Sequence, residues 1–245
     1  MCVAVLSDIH GNLLALDAVL ADMTRRGPYD RVVVAGDLVW AGPWPAAVVD
    51  RIRGLDATVV QGNTDAFLAR QPAETPAGKR DDRFAEQLAW VTAQLGAERT
   101  AYLTNLPFST RISPGPGRDL LVVHANPVDL ERAILPNMSD AGLDELLLLA
   151  GPAADWAALA FGHLHAPFRR MWRGRLLADI ASAGLPMDRD QRAVYAIMTC
   201  TAAAWSVEHH RVAYDADATA KRMRKSGMPR GKHFAERLLA ANYEQ

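Results

Sequence analysis

The chain has 245 residues, 50% hydrophobic and 22% charged, with a formal net charge of -1. This length allows one α/β domain with a sizeable core, and the balanced charge argues against a stable nucleic-acid partner. Its two cysteines cannot form a disulfide framework, which favours a reducing compartment. Since the N-terminus lacks a signal-peptide pattern and no apolar run reaches the roughly 18 residues of a membrane span, we expect a cytoplasmic protein with no membrane partner.

The first half of the chain alternates short apolar runs with helical patterns, which predicts βαβ units. In chain order these are a strand at Val3–Leu6, a helix at about Leu13–Arg25, a strand at Val32–Ala35, a helix at about Ala46–Arg53 and a strand at Thr58–Val60. Residues 66–105 follow as an irregular, mostly helical insert that proline and glycine interrupt.

The second half predicts more strands, antiparallel in character. Two apolar runs, Phe108–Ile112 and Leu120–Val123, bracket the turn sequence PGPGRD and predict a hairpin. A helix is expected at about Asp140–Leu149, followed by a second set of strands over residues 159–212. Residues 217–245 predict C-terminal helices with a break at the Gly-Met-Pro sequence of 227–229. With no repeat or linker, residues 1–245 are most simply a single domain.

Five polar motifs each follow an apolar run directly. They are, in chain order, Ser7-Asp8-Ile9-His10-Gly11-Asn12, Gly36-Asp37, Gln61-Gly62-Asn63-Thr64-Asp65, His124 and Gly162-His163-Leu164-His165. Because the carboxyl ends of parallel strands line one edge of a sheet, we expect these motifs to converge. They supply two aspartates, one asparagine and four histidines, the ligand types expected for borderline divalent cations. Seven ligands exceed the four of a tetrahedral centre, which indicates two ions with open positions.

In that order, the motifs DxH, GD, GNxD, H and GHxH resemble those of the calcineurin-like metallophosphoesterase superfamily, especially its small prokaryotic phosphodiesterase-type members. The sequence GDLVWAGPWP and the C-terminal helices are also similar to theirs. The resemblance implies an α/β fold, a four-layer αββα sandwich of two mixed β-sheets flanked by helices. It implies that residues 1–245 form one metallophosphoesterase domain.

The resemblance also implies a role for each predicted ligand. The first ion would be held by Asp8, His10 and His165, the second by Asn63, His124 and His163, and both by Asp37. Of these, Asp37, Asn63 and His124 would also be catalytic. The cofactors would be two divalent ions, Mn²⁺ first, with Fe, Zn, Ni or Mg as alternatives. A metal-bound hydroxide would attack a phosphodiester in line, and the substrate would be a cyclic nucleotide or a small nucleotide.

Two positions depart from the family pattern. Many members have histidine after the asparagine of GNxD, where this chain has Thr64. A hydroxyl cannot act as a general acid near neutral pH, so the source of the leaving-group proton is open. The segment 179–186 keeps only part of a turn that relatives write as Asn-Pro-Gly-Ser. Candidate substrate contacts are Asn12, Thr64 and Asp65, although Asn12 could instead pin the first loop as a helix cap, and Asp65 also fits as a cap for the following helix.

Other interpretations compete with a phosphodiesterase. A phosphomonoesterase acting on a nucleotide or phosphoprotein would use the same motifs, because the metals contact only the phosphate. A non-catalytic binding module of the same fold is the rival from another class, although all seven ligand types are present. Trp40 and Trp44 could pack beneath a loop or stack on a nucleobase. The expected partner is a small phosphate ester, and self-association through the tail helices is left open.

Overall fold

The computed structural model describes residues 1–69, 82–149, 151, 155–202 and 204–242. Within them, the elements in chain order are β1 (Cys2–Leu6), α1 (Leu13–Arg26), β2 (Arg31–Val34), α2 (Pro45–Arg53), β3 (Thr58–Val59), α3 (Asn63–Phe67), α4 (Asp82–Thr104), β4 (Ser109–Ile112), β5 (Leu120–Val123), α5 (Asp140–Leu147), β6 (Ala158–Phe161), β7 (Phe168–Trp172), β8 (Arg175–Asp179), β9 (Ala193–Cys200), β10 (Trp205–Val212), α6 (Ala216–Lys225) and α7 (Gly231–Ala240).

The strands form two five-stranded mixed sheets. Sheet A has the order β10-β9-β1-β2-β3, and sheet B the order β4-β5-β6-β8-β7. In sheet A, β1, β2 and β3 are parallel, whereas β9 and β10 run antiparallel beside β1. In sheet B, β5, β6 and β8 are parallel, with antiparallel β4 and β7 at the edges. The predicted pair of mixed sheets is confirmed.

Period-two alternation of buried residues produces the layers. On β1, Val3 and Val5 pack between the two sheets, whereas Ala4 and Leu6 face the cluster that includes α1 and α2. On the outer face of sheet B, α5 packs through Leu143 against a cluster from β5, β6 and β8. The order is therefore helices, sheet A, sheet B and helix, which is the predicted four-layer sandwich.

The strands predicted over residues 159–212 all form, and they are divided between the two sheets. Strands β6, β7 and β8 lie in sheet B, but β9 and β10 extend sheet A. In sheet A, Tyr195 of β9 packs toward α1, while Ala196 and Met198 pack between the sheets. Strand β9 therefore contributes to the clusters on both faces of sheet A, next to β1.

The remaining predicted elements occur with small shifts. The hairpin forms between β4 and β5, and the tail forms α6 and α7 on either side of the predicted break. Of the insert over residues 66–105, residues 70–81 lie outside the described residues, and the rest is mostly α4, kinked at Gly96. Residues 243–245 of the tail also lie outside them. None of the described helices has the length and apolar character needed to cross a membrane.

Candidate metal centre

The five polar motifs meet where two sheets end. Strands β1, β2 and β3 of sheet A and β5 and β6 of sheet B all lead into them. The backbone is unusual here: five predicted ligands have left-handed φ values between 49° and 74°, namely Asp8, His10, Asp37, His163 and His165. Such conformations cost on the order of 1–3 kcal/mol each and concentrate at functional sites, so the local backbone is held for a purpose other than stability.

A first group of ligands forms around Asp8. Its Oδ1 lies 3.1 Å from Nε2 of His165 and 3.8 Å from Nε2 of His10. The two imidazole Nε2 atoms lie 3.1 Å apart, and all three residues are buried. Three donor atoms that converge so closely could hold one cation.

A second group lies beside the first. Nε2 of His124 is 2.8 Å from Oδ1 of Asn63 and 3.3 Å from Nδ1 of His163. His124 is fully buried. The group brings together the three residues that the family resemblance assigns to a second ion.

Asp37 lies between the two groups. Its Oδ2 is 3.6 Å from Nε2 of His10, and its Oδ1 is 3.6 Å from Nε2 of His124. The carboxylate therefore presents one oxygen to each group, which is the geometry that a bridging ligand needs. Gly62 permits this approach, because a Cβ at Gly62 would meet Oδ1 and the backbone nitrogen of Asp37.

In each of the four histidines, the ring nitrogen that faces away from the centre forms a hydrogen bond with a backbone carbonyl. The contacts are His10 Nδ1 to Val39 O at 3.1 Å, His124 Nδ1 to Ala35 O at 2.9 Å, His163 Nε2 to Glu131 O at 3.0 Å and His165 Nδ1 to Leu185 O at 2.6 Å. A carbonyl only accepts hydrogen bonds, so each of these nitrogens carries the proton. In the neutral rings, the lone pairs then point inward at one another.

This arrangement fits cations. Inward lone pairs on His10 and His165 repel at 3.1 Å unless a positive charge lies between them. Oδ1 of Asp8 is buried without a hydrogen-bond partner among the described residues. Burial alone would lower the pKa of His165, but the Asp8 carboxylate outweighs it and raises that pKa. A divalent cation held here would satisfy all three groups.

The ionisable side chains at the centre shift one another's pKa values. Burial, together with the negative charge of Asp8, raises the pKa of Asp37 to about 7. Burial and the positive charge of His165 lower the pKa of His10 to about 3. Burial would also raise the pKa of Asp8, yet its histidine neighbours, His165 above all, hold that pKa below its usual range. The buried carboxylates therefore favour the binding of positive charge at the centre.

Two of the three predicted substrate contacts have other partners in the structure. Asn12 is fully buried; its Oδ1 accepts from Ala15 N at the start of α1. Its Nδ2 donates to Gly184 O at 2.8 Å. Asp65 is also fully buried and accepts from the backbone nitrogens of Asp37, Leu38 and Gly62. These two residues hold the motif loops in place, because their polar groups are engaged by the protein itself.

The third, Thr64, lies beside the centre. Its backbone nitrogen donates to Oδ1 of Asp37 at 2.9 Å, and its hydroxyl lies 3.5 Å from Val39 O. The N–H therefore helps to orient the central carboxylate. The hydroxyl has a backbone acceptor and, as the sequence indicated, cannot supply a proton near neutral pH.

Sequence reasoning missed the role of the segment 179–186. Ser182 Oγ donates to Asp8 O at 2.7 Å, and Leu185 supplies the carbonyl bound by His165. Gly184 N donates to the same Asp8 carbonyl at 3.0 Å. The segment therefore supports the first motif and one histidine. Backbone carbonyls carry no side-chain signature, so only Ser182 gave a signal in the sequence.

Trp40 packs against other aromatic side chains. Its ring centroid lies 5.5 Å from Phe67 and 5.0 Å from Phe84. It also contacts the cluster formed by α6 and α7. These contacts favour the packing interpretation over a nucleobase-stacking wall.

The chain is similar to known proteins in both sequence and structure. Residues 1–203 match the sequence model described as the calcineurin-like phosphoesterase superfamily domain. The uncharacterized protein MJ0912 of Methanocaldococcus jannaschii is 28% identical over 255 residues, covering 97% of both chains.

Two solved structures are similar over almost the whole chain. A metallophosphoesterase from Sphaerobacter thermophilus is 31% identical, with a TM-score of 0.76, and covers 98% of this chain and 100% of its own. The hypothetical protein PH1004 from Pyrococcus horikoshii has a TM-score of 0.82 at 21% identity, covering 99% of both chains. At that identity, the second similarity concerns the fold alone.

Proposed function

Because the chain belongs to the calcineurin-like phosphoesterase superfamily, a metal-dependent family, we propose that it hydrolyses a phosphodiester, a cyclic nucleotide or a small nucleotide, at a binuclear metal centre. The observation that carries the proposal is the position of Asp37. Its two carboxylate oxygens face two separate ligand groups, each at 3.6 Å from a histidine nitrogen. A mononuclear site would need only one of those groups.

The protein's residues divide into two sets of ligands. The first cation would be held by Asp8, His10 and His165, the second by Asn63, His124 and His163, and both by Asp37. Two divalent cations, when bound, supply a nucleophile from water near neutral pH and neutralise phosphate oxygens as charge builds. The mixture of carboxylate, amide and imidazole ligands suits Mn²⁺, Fe²⁺, Zn²⁺ or Ni²⁺, and Mn²⁺ is the first to test.

The surrounding residues fix the ligands in place. The four carbonyl contacts orient the imidazoles, and Asp65 holds the backbone on both sides of Asp37. Thr64 gives the leaving group no proton donor, which favours esters whose leaving group departs readily. We therefore place phosphodiesters ahead of monoesters, and retain the phosphomonoesterase as the second candidate.

Metal removal tests the proposal. We expect turnover of a chromogenic phosphodiester with Mn²⁺ to fall to background after chelation and to return when Mn²⁺ is added back, because the nucleophile depends on the cations. A panel of cyclic nucleotides, dinucleotides and monoesters then ranks the substrates.

The possible results of this panel separate the candidates. Turnover that survives chelation would overturn the metal mechanism. A panel in which only monoesters react would favour the phosphomonoesterase. Two bound equivalents of Mn²⁺ without hydrolysis of any ester would favour a non-catalytic binding module.

Thr64→His tests the control of leaving-group chemistry. A histidine here could protonate the leaving group, and a well-positioned general acid typically raises the rate by roughly 10²–10⁴-fold. We expect monoester turnover to rise relative to diester turnover by about tenfold or more, with the metal content unchanged. Thr64→Val is the matched control, since it removes the hydroxyl and keeps the shape. An unaltered ratio in Thr64→His would show that this position does not govern the leaving group.

A further inference from the structure

A compact loop after β5 supplies the carbonyl that contacts His163. In this 126–132 loop, the buried Asn126 accepts from Val128 N at 2.7 Å and donates to Arg132 O at 2.8 Å. Oδ1 of Asp129 accepts from the backbone nitrogens of Glu131 and Arg132, at 2.9 and 2.8 Å. Its Oδ2 accepts from Arg132 Nε at 2.8 Å. Side chains inside the loop therefore fix its backbone.

The contacts of Asp129 set the direction of one carbonyl. The Glu131 carbonyl and the Arg132 N–H belong to the same peptide unit, which is planar and trans; among the described residues, only the Gly27-Pro28 bond is cis. In a trans peptide, the N–H and the carbonyl point in opposite directions. When Asp129 holds the Arg132 N–H, the Glu131 carbonyl must point away from Asp129, and there it meets Nε2 of His163 at 3.0 Å.

His163 differs from the other three histidines in this support. The carbonyls facing His10, His124 and His165 belong to the buried residues Val39, Ala35 and Leu185. Glu131 is exposed, and the loop holds its carbonyl through side-chain contacts. His163 is also the one histidine of the four that turns Nδ1, rather than Nε2, toward the centre. The orientation of the His163 ring therefore depends on a surface loop, and a single substitution can loosen that loop.

We propose that Asp129 is a positioning residue for the second metal position. Through the peptide plane between residues 131 and 132, it holds the Glu131 carbonyl on Nε2 of His163 and keeps Nδ1 unprotonated and aimed at the centre. The assignment of a cation to His163 rests on the proposed function, but the state of the ring does not. Partners of this kind orient a metal-binding imidazole, and their loss typically costs roughly 10–100-fold in metal affinity or activity.

The first test needs neither metal nor substrate. Long-range ¹H–¹⁵N spectra of the metal-free protein at pH 8 report which ring nitrogen carries the proton, and His163→Gln assigns the signals. We expect His163 to carry its proton on Nε2 in the natural protein and in Asp129→Asn, which keeps an acceptor oxygen. In Asp129→Ala, we expect a mixture of the two tautomers.

The second test titrates the metal-free protein with Mn²⁺ by calorimetry. We expect Asp129→Ala to weaken one of two binding events by about tenfold or more and to leave the other unchanged. Asp129→Asn should restore most of the loss. Asp190→Ala is the matched control: Asp190 likewise accepts from the backbone and guanidinium of a nearby arginine, Arg192, but it lies between β8 and β9, outside the 126–132 loop.

Each outcome decides the proposal. An unchanged His163 tautomer together with unchanged affinity in Asp129→Ala would overturn it, as would equal weakening in Asp190→Ala. If Asp129→Ala fails to fold, Asp129→Gln moves the acceptor by one methylene and replaces it. Loss of the fold in both variants would also count against the proposal, because the proposal confines the effect of the substitution to the 126–132 loop and His163. A tautomer change in a protein that hydrolyses no ester would uphold the positioning role and remove the proposed function alone.

Discussion

Asp37→Asn is expected to lower turnover of a phosphodiester by about 10²–10³-fold or more, because the variant loses a carboxylate charge that faces both ligand groups. The amide keeps the size of the side chain, so the change removes charge without leaving a cavity. The number of bound Mn²⁺ ions, measured by elemental analysis after gel filtration, should fall from two toward one or none. Unchanged turnover and two retained ions would contradict a bridging role.

Asp22→Asn provides the matched control for Asp37→Asn. Asp22 is also a buried aspartate, but it pairs with Arg25, Arg26 and Tyr195. The control should lower the melting temperature and leave the Mn²⁺ content at two. An equal loss of metal from both variants would mean that general destabilisation, and not the bridge, explains the result.

The natural protein and Asp37→Asn can also be compared across pH. Asp37 has a pKa raised to about 7 by burial and by Asp8, so protons compete with cations for its carboxylate below that pH. Mn²⁺ affinity of the natural protein should therefore rise as the pH goes up through 7. In Asp37→Asn, that part of the rise should disappear, since an amide does not titrate.

The convergence of the candidate ligands could be predicted from the sequence, because side-chain type and position carried the information. Asp8, Asp37 and His124 each follow an apolar run, and parallel strands bring such positions to one edge. The division of those strands between two sheets could not be predicted. A strand such as β6, buried on both faces, shows the same continuous apolar run in either sheet.

Hydrogen-bond partners explain the other differences between prediction and structure. Asn12 and Asp65 have the chemistry of a substrate contact and the chemistry of a helix cap, and only their partners decide between the two. The carbonyls of Val39, Leu185 and Glu131 orient three histidines, yet any residue type could supply them. What the sequence specifies is thus the set of candidate ligands, whereas the backbone around them specifies their direction.

Gly62→Ala is expected to disrupt the centre by steric contact alone. Gly62 has φ -95° and ψ 170°, an extended conformation that any residue can adopt, so backbone strain does not enter. The new Cβ would meet Oδ1 and the nitrogen of Asp37, both of which are already held by neighbouring groups. Since the interior cannot expand freely, we expect a loss of about 1–3 kcal/mol in the free energy of unfolding.

Gly54→Ala separates this close approach from a general effect of replacing glycine. Gly54 has φ -81° and ψ -1°, and a Cβ there would lie 3.5 Å from Asp50 O, an ordinary contact. Urea unfolding should therefore give Gly54→Ala a stability within about 1 kcal/mol of the natural protein. Gly62→Ala should be destabilised and should also lose Mn²⁺, because its Cβ displaces the carboxylate that both ligand groups share. If Gly62→Ala instead kept its stability and both ions, Asp37 would have room to move. The fixed position of Asp37 between the groups would then not be required for two ions to bind.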